Sequence, residues 1–425
     1  MNKSTRLSGM MFLQYALWGA WLPLTARYLS AGVAEGGLGF TGTQIGMILG
    51  LAGSLGAAFA PFIAGQLADR YFSTEKFLAV LMLVGGVLKW YTSLQTTYSA
   101  WLILSIAYSI VYMPTIALTN SITFFHIDDQ DNDFPKIRVW GTIGWIVASW
   151  AFPMIWLQTG LSFQWMPPFF VGSEVPDVTA RLADALKFSG GISIFYAAYC
   201  FLLPHTPPKA EAVEKLAFKK AFQLFNKPSF TTLVIASLAI SIVHQIYFIQ
   251  AGPFLSHIGL KDSQIGPAMT IGQFAEILTM VYLGYFLKNL GFRKVITIGT
   301  IAYFSRYAVF GTESLPVWLI VISQALHGIC FAFFFATAFM YVDRITDKDI
   351  RHSAQTVFGI IILGGGPVIG GWLSGFLQEY YTVNGVFDFS NFWYTIAGLS
   401  ILTTIYFYTS FREESEVQKT LFQNN

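Results

Sequence analysis

Five apolar stretches of this chain carry polar and aromatic side chains three and four residues apart, the spacing that stacks them on one helix face. Gln14, Trp18 and Trp21 form one such face, Arg138, Thr142 and Trp145 a second, and Ser241, Gln245 and Phe248 a third. Thr270, Gln273, Glu276 and Thr279 make a slowly drifting stripe, and His327 and Phe331 a shorter one. Amides, a carboxylate and a guanidinium offer directional hydrogen bonds, while indole and phenyl rings offer flat apolar surfaces. The set suits a small neutral solute with both hydroxyls and a planar or apolar face. Glu276 is its sharpest member, the only carboxylate near the middle of any long apolar run. A charge at the centre of a bilayer costs roughly 3 kcal/mol or more, so it normally faces a cavity or a partner.

The elements that position these residues follow from composition. Of 425 residues, 54% are hydrophobic, 17% aromatic and only 11% charged, with a mean hydropathy of +0.55. A soluble chain of this length could not cover such a surface with polar groups. Windows of about 20 mostly apolar residues, enough for one crossing, fall near Leu7 to Leu29, Thr43 to Ala68, Lys76 to Leu94, Trp101 to Phe125, Arg138 to Leu157 and Leu186 to Leu203. Six more follow near Ser229 to Leu255, Gly266 to Leu287, Val295 to Phe310, Val317 to Val342, Ser353 to Leu377 and Asn391 to Phe411. The expectation is an all-α polytopic membrane protein of about twelve helices, since a β-barrel shows short alternating strands instead. The first window exceeds a signal-peptide core and reads as an uncleaved span.

Lysine and arginine concentrate on the side shared by both termini, which places those termini in the cytoplasm. Only Arg27, Lys89, Arg181, Lys187, Lys261 and Arg306 fall on the other side. Pro204 to Lys227, with three prolines and five lysines, reads as a cytoplasmic linker dividing six spans from six. Across it, Ile137, Arg138 and Thr142 to Gly144 echo Ile350, Arg351 and Thr356 to Gly359, and Gly65, Asp69, Arg70 and Lys76 more weakly echo Gly284, Lys288, Arg293 and Lys294. Two similar halves around a midplane site are a common plan of secondary transporters. Gly160 to Ala183 reads as a long external loop. Gly364 to Gly366 lack the lysine and hydroxyl of a phosphate cradle, so nothing supports ATP-driven transport. Cys200 and Cys330 lack paired spacing, so neither a disulfide nor a metal site is expected, and no cofactor.

The same side chains also have plain structural uses. Trp21 suits an interfacial anchor, Gln14 and Gln245 suit bonds between helices, His244 and His327 suit satisfied donors, and Arg138 lies close enough to an edge to snorkel.

The run Asp133, Phe134, Pro135, Lys136, Ile137, Arg138, Val139, Trp140, Gly141, Thr142, Ile143, Gly144 closely resembles a signature of the bacterial nucleoside:proton symporter family, within the major facilitator superfamily. Phe12 to Trp21 is similar to that family's first span, and Tyr112 to Thr115 and the Gln273, Glu276 pair match further. Gly65 to Arg70 looks like part of the superfamily's loop between spans two and three. The resemblance implies the major facilitator fold, twelve transmembrane helices in two six-helix bundles, and alternating access. It also implies that Arg138, Thr142, Trp145, Gln245, Gln273 and Glu276 line a nucleoside site. Phe248 stands where characterised members have an asparagine, and His327 and Ala332 stand where they have a tyrosine and an aspartate.

The expected function is therefore secondary active import of nucleosides or a related polar solute by proton symport. The expected solute site comprises Arg138, Thr142, Trp145, Gln245, Phe248, Gln273, Glu276, His327, Phe331, Gln14 and Trp18, with Glu276, Arg138 and His327 serving proton coupling. A proton-linked sugar or oligosaccharide permease is the alternative, and a non-transporting nutrient sensor a weaker one. An enzyme would need a nucleophile with a base or a metal cluster, and the sequence offers neither. The expected partners are a small solute, a proton and the lipid bilayer, with no nucleic acid. The expected setting is a monomer in the bacterial inner membrane, with a first bundle at 1–203, a linker at 204–228, a second bundle at 229–411 and a cytoplasmic tail at 412–425.

Overall fold

The computed structural model describes residues 2–63, 72–165, 170–208, 222–346 and 351–414. The Gly65 to Arg70 loop motif, most of the 204–228 linker, Ile350 with the side chain of Arg351, and the end of the tail lie outside the described residues. The described chain is mostly helical: α1 (Lys3–Gly19), α2 (Leu22–Ser30), α3 (Gly42–Gly46), α4 (Ala52–Phe62), α5 (Thr74–Thr92), α6 (Tyr98–His126), α7 (Gln130–Trp156), α8 (Val178–Arg181), α9 (Asp184–Tyr199), α10 (Pro228–His257), α11 (Asp262–Gly311), α12 (Val317–Ile322), α13 (Leu326–Ile329), α14 (Thr337–Arg344), α15 (Arg351–Gly359), α16 (Gly366–Tyr380) and α17 (Phe389–Ser410). π-helical turns at Met47–Leu51, Cys330–Ala336 and Ile360–Gly365 join α3 to α4, α13 to α14 and α15 to α16. Among the described residues seven continuous helical stretches are long and apolar enough to cross a membrane.

Where the windows and the helices differ, the backbone supplies the reason. The first window breaks between α1 and α2, where Pro23 has no N–H to offer the Gly19 carbonyl. The Ser149 hydroxyl donates to that carbonyl instead, at 2.9 Å. The eighth and ninth windows run on as the 50-residue α11, interrupted at Gly291, whose φ of 74° is left-handed. The external loop contains a hairpin, β1 (Gln158–Phe163) antiparallel to β2 (Phe170–Glu174), and a second, short hairpin pairs β3 (Thr382–Val383) with β4 (Val386–Phe387). Both segments of the first hairpin carry the aromatic residues that favour strands.

Two compact units organise the chain, the first comprising Met1–Ala212 and Phe248–Thr270, the second Val213–Tyr247 and Ile271–Asn425. Helices α10 and α11 each contribute residues to both. In the first unit Asp262 ties the start of α11 to α2 and α8, accepting from Arg27 Nε at 2.9 Å and from the Thr179 hydroxyl at 3.0 Å. Glu174 of the hairpin adds a bond from the Ser263 N–H at 2.8 Å.

Candidate solute and proton sites

In the first unit the signature run explains itself as a packing device. A Cβ at Gly144 would collide with the Phe12 carbonyl, and one at Gly19 would stand 2.6 Å from the Trp145 carbonyl oxygen. Small residues therefore let the α1 and α7 backbones touch. That contact brings Trp18 edge-on to Trp145, ring centroids 5.7 Å apart. Tyr112 of α6 meets the other side of Trp18, also at 5.7 Å. Two helical turns back along α7, Arg138 lies half-buried with its guanidinium carbon 4.1 Å from the Tyr15 ring centroid. Thr142, half-buried, occupies the same α7 face. The first unit thus brings Trp18, Trp145 and Arg138 near Tyr15 and Tyr112.

Gln14 behaves differently from its neighbours. Its side chain is fully buried, donating from Nε2 to Thr115 Oγ1 at 2.9 Å and accepting at Oε1 from Thr119 Oγ1 at 3.2 Å. The Tyr112 hydroxyl donates to its carbonyl at 3.0 Å. The amide's bonding is satisfied within the unit, which suits a residue that holds α1 against α6.

In the second unit a similar close approach joins α11 to α13. A Cβ on Gly272 would lie 2.8 Å from His327 Cβ, and one on Gly328 would collide with the backbone at Ala275 and Glu276. His327 is thereby placed against the helix that carries Gln273 and Glu276. Gln273 is nearly buried, and its Oε1 has no hydrogen-bond partner. A buried carbonyl acceptor left open costs about 1–3 kcal/mol, so a donor that fills it gains affinity. Glu276 is half-buried one turn further along. Gln245 and Phe248, both half-buried, lie on α10, with the Gln245 Cβ 2.9 Å from a Cβ placed on Gly370. Phe331 packs on Phe335 at 6.1 Å in the π-helical turn, which also holds buried Ala332.

His327 has a partner that its sequence position did not announce. Arg306, fully buried, reaches His327 Nδ1 from Nη1 at 2.9 Å and donates from Nη2 to the Tyr307 hydroxyl at 2.8 Å. Its guanidinium carbon also sits 4.0 Å from the Tyr247 ring centroid. Arginine only donates, so His327 accepts at Nδ1 and carries its proton on Nε2. Beside it His244 stacks at 5.4 Å and shares a 2.7 Å bond with the Tyr303 hydroxyl.

Lys89 is the counterpart in the first unit. It is 4% exposed, with Nζ 3.2 Å from the Trp21 ring centroid and 4.0 Å from that of Tyr108. Among the described residues no carboxylate pairs with Lys89 or with Arg306. Sequence reasoning counted both only toward the distribution of charge between the two sides of the membrane. Trp21 and Tyr108, the rings that hold Lys89, lie far from it in sequence, whereas Tyr307 beside Arg306 was a local signal.

This mostly helical chain has the architecture of major-facilitator-like transporters. A crystal structure of the nucleoside transporter NupG matches it with a TM-score of 0.82 at 27% identity, covering 97% of this chain and 100% of that one. A D-xylose-proton symporter matches with a TM-score of 0.74 at 12% identity over 97% of this chain and 99% of that one, a likeness of fold alone. The chain belongs to the nucleoside H+ symporter family, whose model matches residues 1–416. Its relatives in Escherichia coli (strain K12) include the transporter YegT, 32% identical over 97% of this chain and 95% of that protein. Xanthosine permease of the same organism is 28% identical over 99% of this chain and 98% of its own length.

Proposed function

We propose that the chain imports nucleosides with a proton by alternating access, as a monomer in the cytoplasmic membrane of a bacterium with both termini in the cytoplasm. The finer architecture proposed with it is twelve helices in two six-helix bundles, 1–203 and 229–411, joined by the 204–228 linker. The observation that carries the reading is the family match across residues 1–416.

The residues suit the task chemically. Trp18 and Trp145 present ring faces for a base, and Arg138, Thr142 and Gln245 supply hydrogen bonds around it. The open Gln273 Oε1 accepts from a hydroxyl or a base N–H. Glu276 binds ribose hydroxyls or takes the proton, with Phe248 and Phe331 closing apolar surface. His327, held as a neutral donor by Arg306, offers its Nε2–H in the role of a hydroxyl donor. Gln14 acts through α6 rather than on the solute.

Uptake of labelled nucleosides and sugars into proteoliposomes, with and without an inward proton gradient, tests the reading. Nucleoside accumulation that follows the gradient is expected. Uptake of sugars alone would overturn the substrate, and accumulation indifferent to the gradient would overturn the coupling. Glu276→Gln is expected to slow driven uptake at least about tenfold, the loss of roughly one charge-assisted hydrogen bond.

A further inference from the structure

We propose that Lys89 is a proton-binding group of the transport cycle, its ammonium held on the Trp21 and Tyr108 rings and its neutral amine bonded by the Tyr108 hydroxyl. The proposal rests on the proton-symport reading and names a residue for it.

The cage is built for a group that changes charge. Lys89 occupies the last turn of α5, against α6 and the start of α2. Ring faces are the polar surface nearest its Nζ, and such a contact returns only about 2 kcal/mol when dry. Burying an ammonium costs several kcal/mol, so the rings compensate the charge in part. Once the proton leaves, the amine has a lone pair and needs a donor. The buried Tyr108 hydroxyl and the Trp21 indole N–H face each other, and beyond that mutual contact neither has a hydrogen-bond partner. A small swing of the lysine side chain brings the Tyr108 hydroxyl into reach. Each protonation state thus finds something in the same cage, and the proton passes between solvent and the Nζ lone pair with no other bond made or broken. Lysine can exchange its proton in this way and arginine cannot.

Among the described residues no other charged side chain pairs with Lys89. On α9, packed along α5, Lys187 pairs with Asp184 at 2.6 Å, Tyr196 faces Thr119 at 3.5 Å, and Tyr199 donates to the Arg6 carbonyl. Cys200 follows α9 as a free thiol. On α5 itself Glu75 and Lys76 lie at the opposite end, Glu75 bonded to His205 and Thr206. On α6 Tyr112 bonds Gln14 and His126 meets Thr206, which leaves Tyr108 as the one ionisable side chain that touches Lys89 among these.

The cage is also wired to the solute rings. Tyr108 stacks on Tyr112 at 5.3 Å with planes 9° apart, and Tyr112 meets Trp18, which meets Trp145. A change in what the Tyr108 hydroxyl bonds is passed along this stack within one unit.

The test is accumulation of labelled uridine by reconstituted full-length protein. At one proton per solute, an inward gradient of about one pH unit supports about tenfold accumulation, since tenfold corresponds to about 1.4 kcal/mol. Lys89→Arg keeps the charge and the ring contacts but holds its proton, and Lys89→Met keeps the length without a charge. Both are expected to exchange labelled for unlabelled uridine yet to reach only equal concentrations on the two sides. Tyr108→Phe is expected to keep accumulation while moving the pH of half-maximal uptake by about one unit, the loss of one hydrogen bond of about 1.4 kcal/mol. Wild-type accumulation by Lys89→Arg overturns the proposal, as does loss of exchange in both Lys89 variants, which would make the residue a structural post. An unmoved pH profile in Tyr108→Phe overturns it too. Wild-type protein that ignores the gradient defeats the symport reading itself, a failure seen before any variant is made.

Discussion

Two buried cations, one in each unit, are held in opposite ways. Arg306 spends its guanidinium on directed hydrogen bonds to His327 and Tyr307 and lies over Tyr247. Lys89 rests on the faces of Trp21 and Tyr108, whose polar atoms have no partner beyond each other. The first arrangement fixes a charge permanently and uses it to orient an imidazole. The second leaves a group that can give its charge up. A planar fork with five donors suits the former, and a compact amine with one removable proton suits the latter. The two cages show how a chain with few intramembrane acids can divide the work, one cation serving as scaffold and the other as carrier.

Exchanging the cations is the hardest test of that division. Arg306→Lys cannot reach His327 Nδ1 and the Tyr307 hydroxyl together, so it forfeits at least one charge-assisted bond and leaves acceptors unpaired, about 3 kcal/mol. Thermal unfolding of the purified protein should show it. Lys89→Arg, which keeps its ring contacts, should cost less than about 1 kcal/mol. Equal losses at the two positions would erase the distinction.

His327 sharpens the same contrast at a smaller scale. His327→Leu strands Arg306 Nη1 and should cost about 2 kcal/mol, whereas His327→Gln keeps an acceptor and should recover about half of it. Both should still drive accumulation with a proton gradient, because an imidazole that accepts from arginine is serving as a fixed donor. Loss of gradient-driven accumulation in His327→Gln, with exchange intact, would move the carrier role to the second unit.

The ring contact at Lys89 can be isolated by a double-mutant cycle. Trp21→Leu and Lys89→Met, made singly and together, should show a coupling of about 1.5 kcal/mol in unfolding free energy. A coupling near zero would mean that the ammonium gains nothing from the indole.

These cages also mark where sequence reasoning ends. The helical class, the long windows and the polar faces were legible because apolar runs and three-to-four spacing are local properties. Trp18 with Trp145, and His327 against the helix of Gln273 and Glu276, came together because glycines in the motifs permit close backbones. Gln14 read as a solute ligand, yet its bonds go to Thr115 and Thr119, 101 and 105 residues away. Lys89 and Arg306 read as edge charges because Trp21 and Tyr108, and His327 and Tyr247, come from other helices, and no spacing rule within one segment reports that. The break at Trp21 was written in Pro23, but Ser149, which compensates it, lies 130 residues beyond the Gly19 carbonyl it bonds.

The smallest expected effect concerns the far end of the helix that carries Lys89. Glu75, nearly buried at the start of α5, accepts from the Thr206 N–H at 2.9 Å and bonds His205 Nδ1 at 2.9 Å. Burial alone would raise its carboxyl, but the bonds to His205 and Thr206 outweigh it and hold the group below its ordinary value of 4.5. A carboxyl depressed in the folded state stabilises above its unfolded value, and that contribution is lost as pH falls through the folded one. Glu75→Gln should therefore cost about 1 kcal/mol at neutral pH, discounted because His205 is largely exposed. The difference from wild type should shrink below about pH 4.5 and vanish once Glu75 itself is protonated. Between pH 5 and 8 the Glu75 carboxylate stays ionised, so it is not itself the source of any pH dependence of uptake in that window. A Glu75→Gln variant whose uptake profile moves within that window would show that the two ends of α5 are coupled, and that Lys89 does not titrate alone.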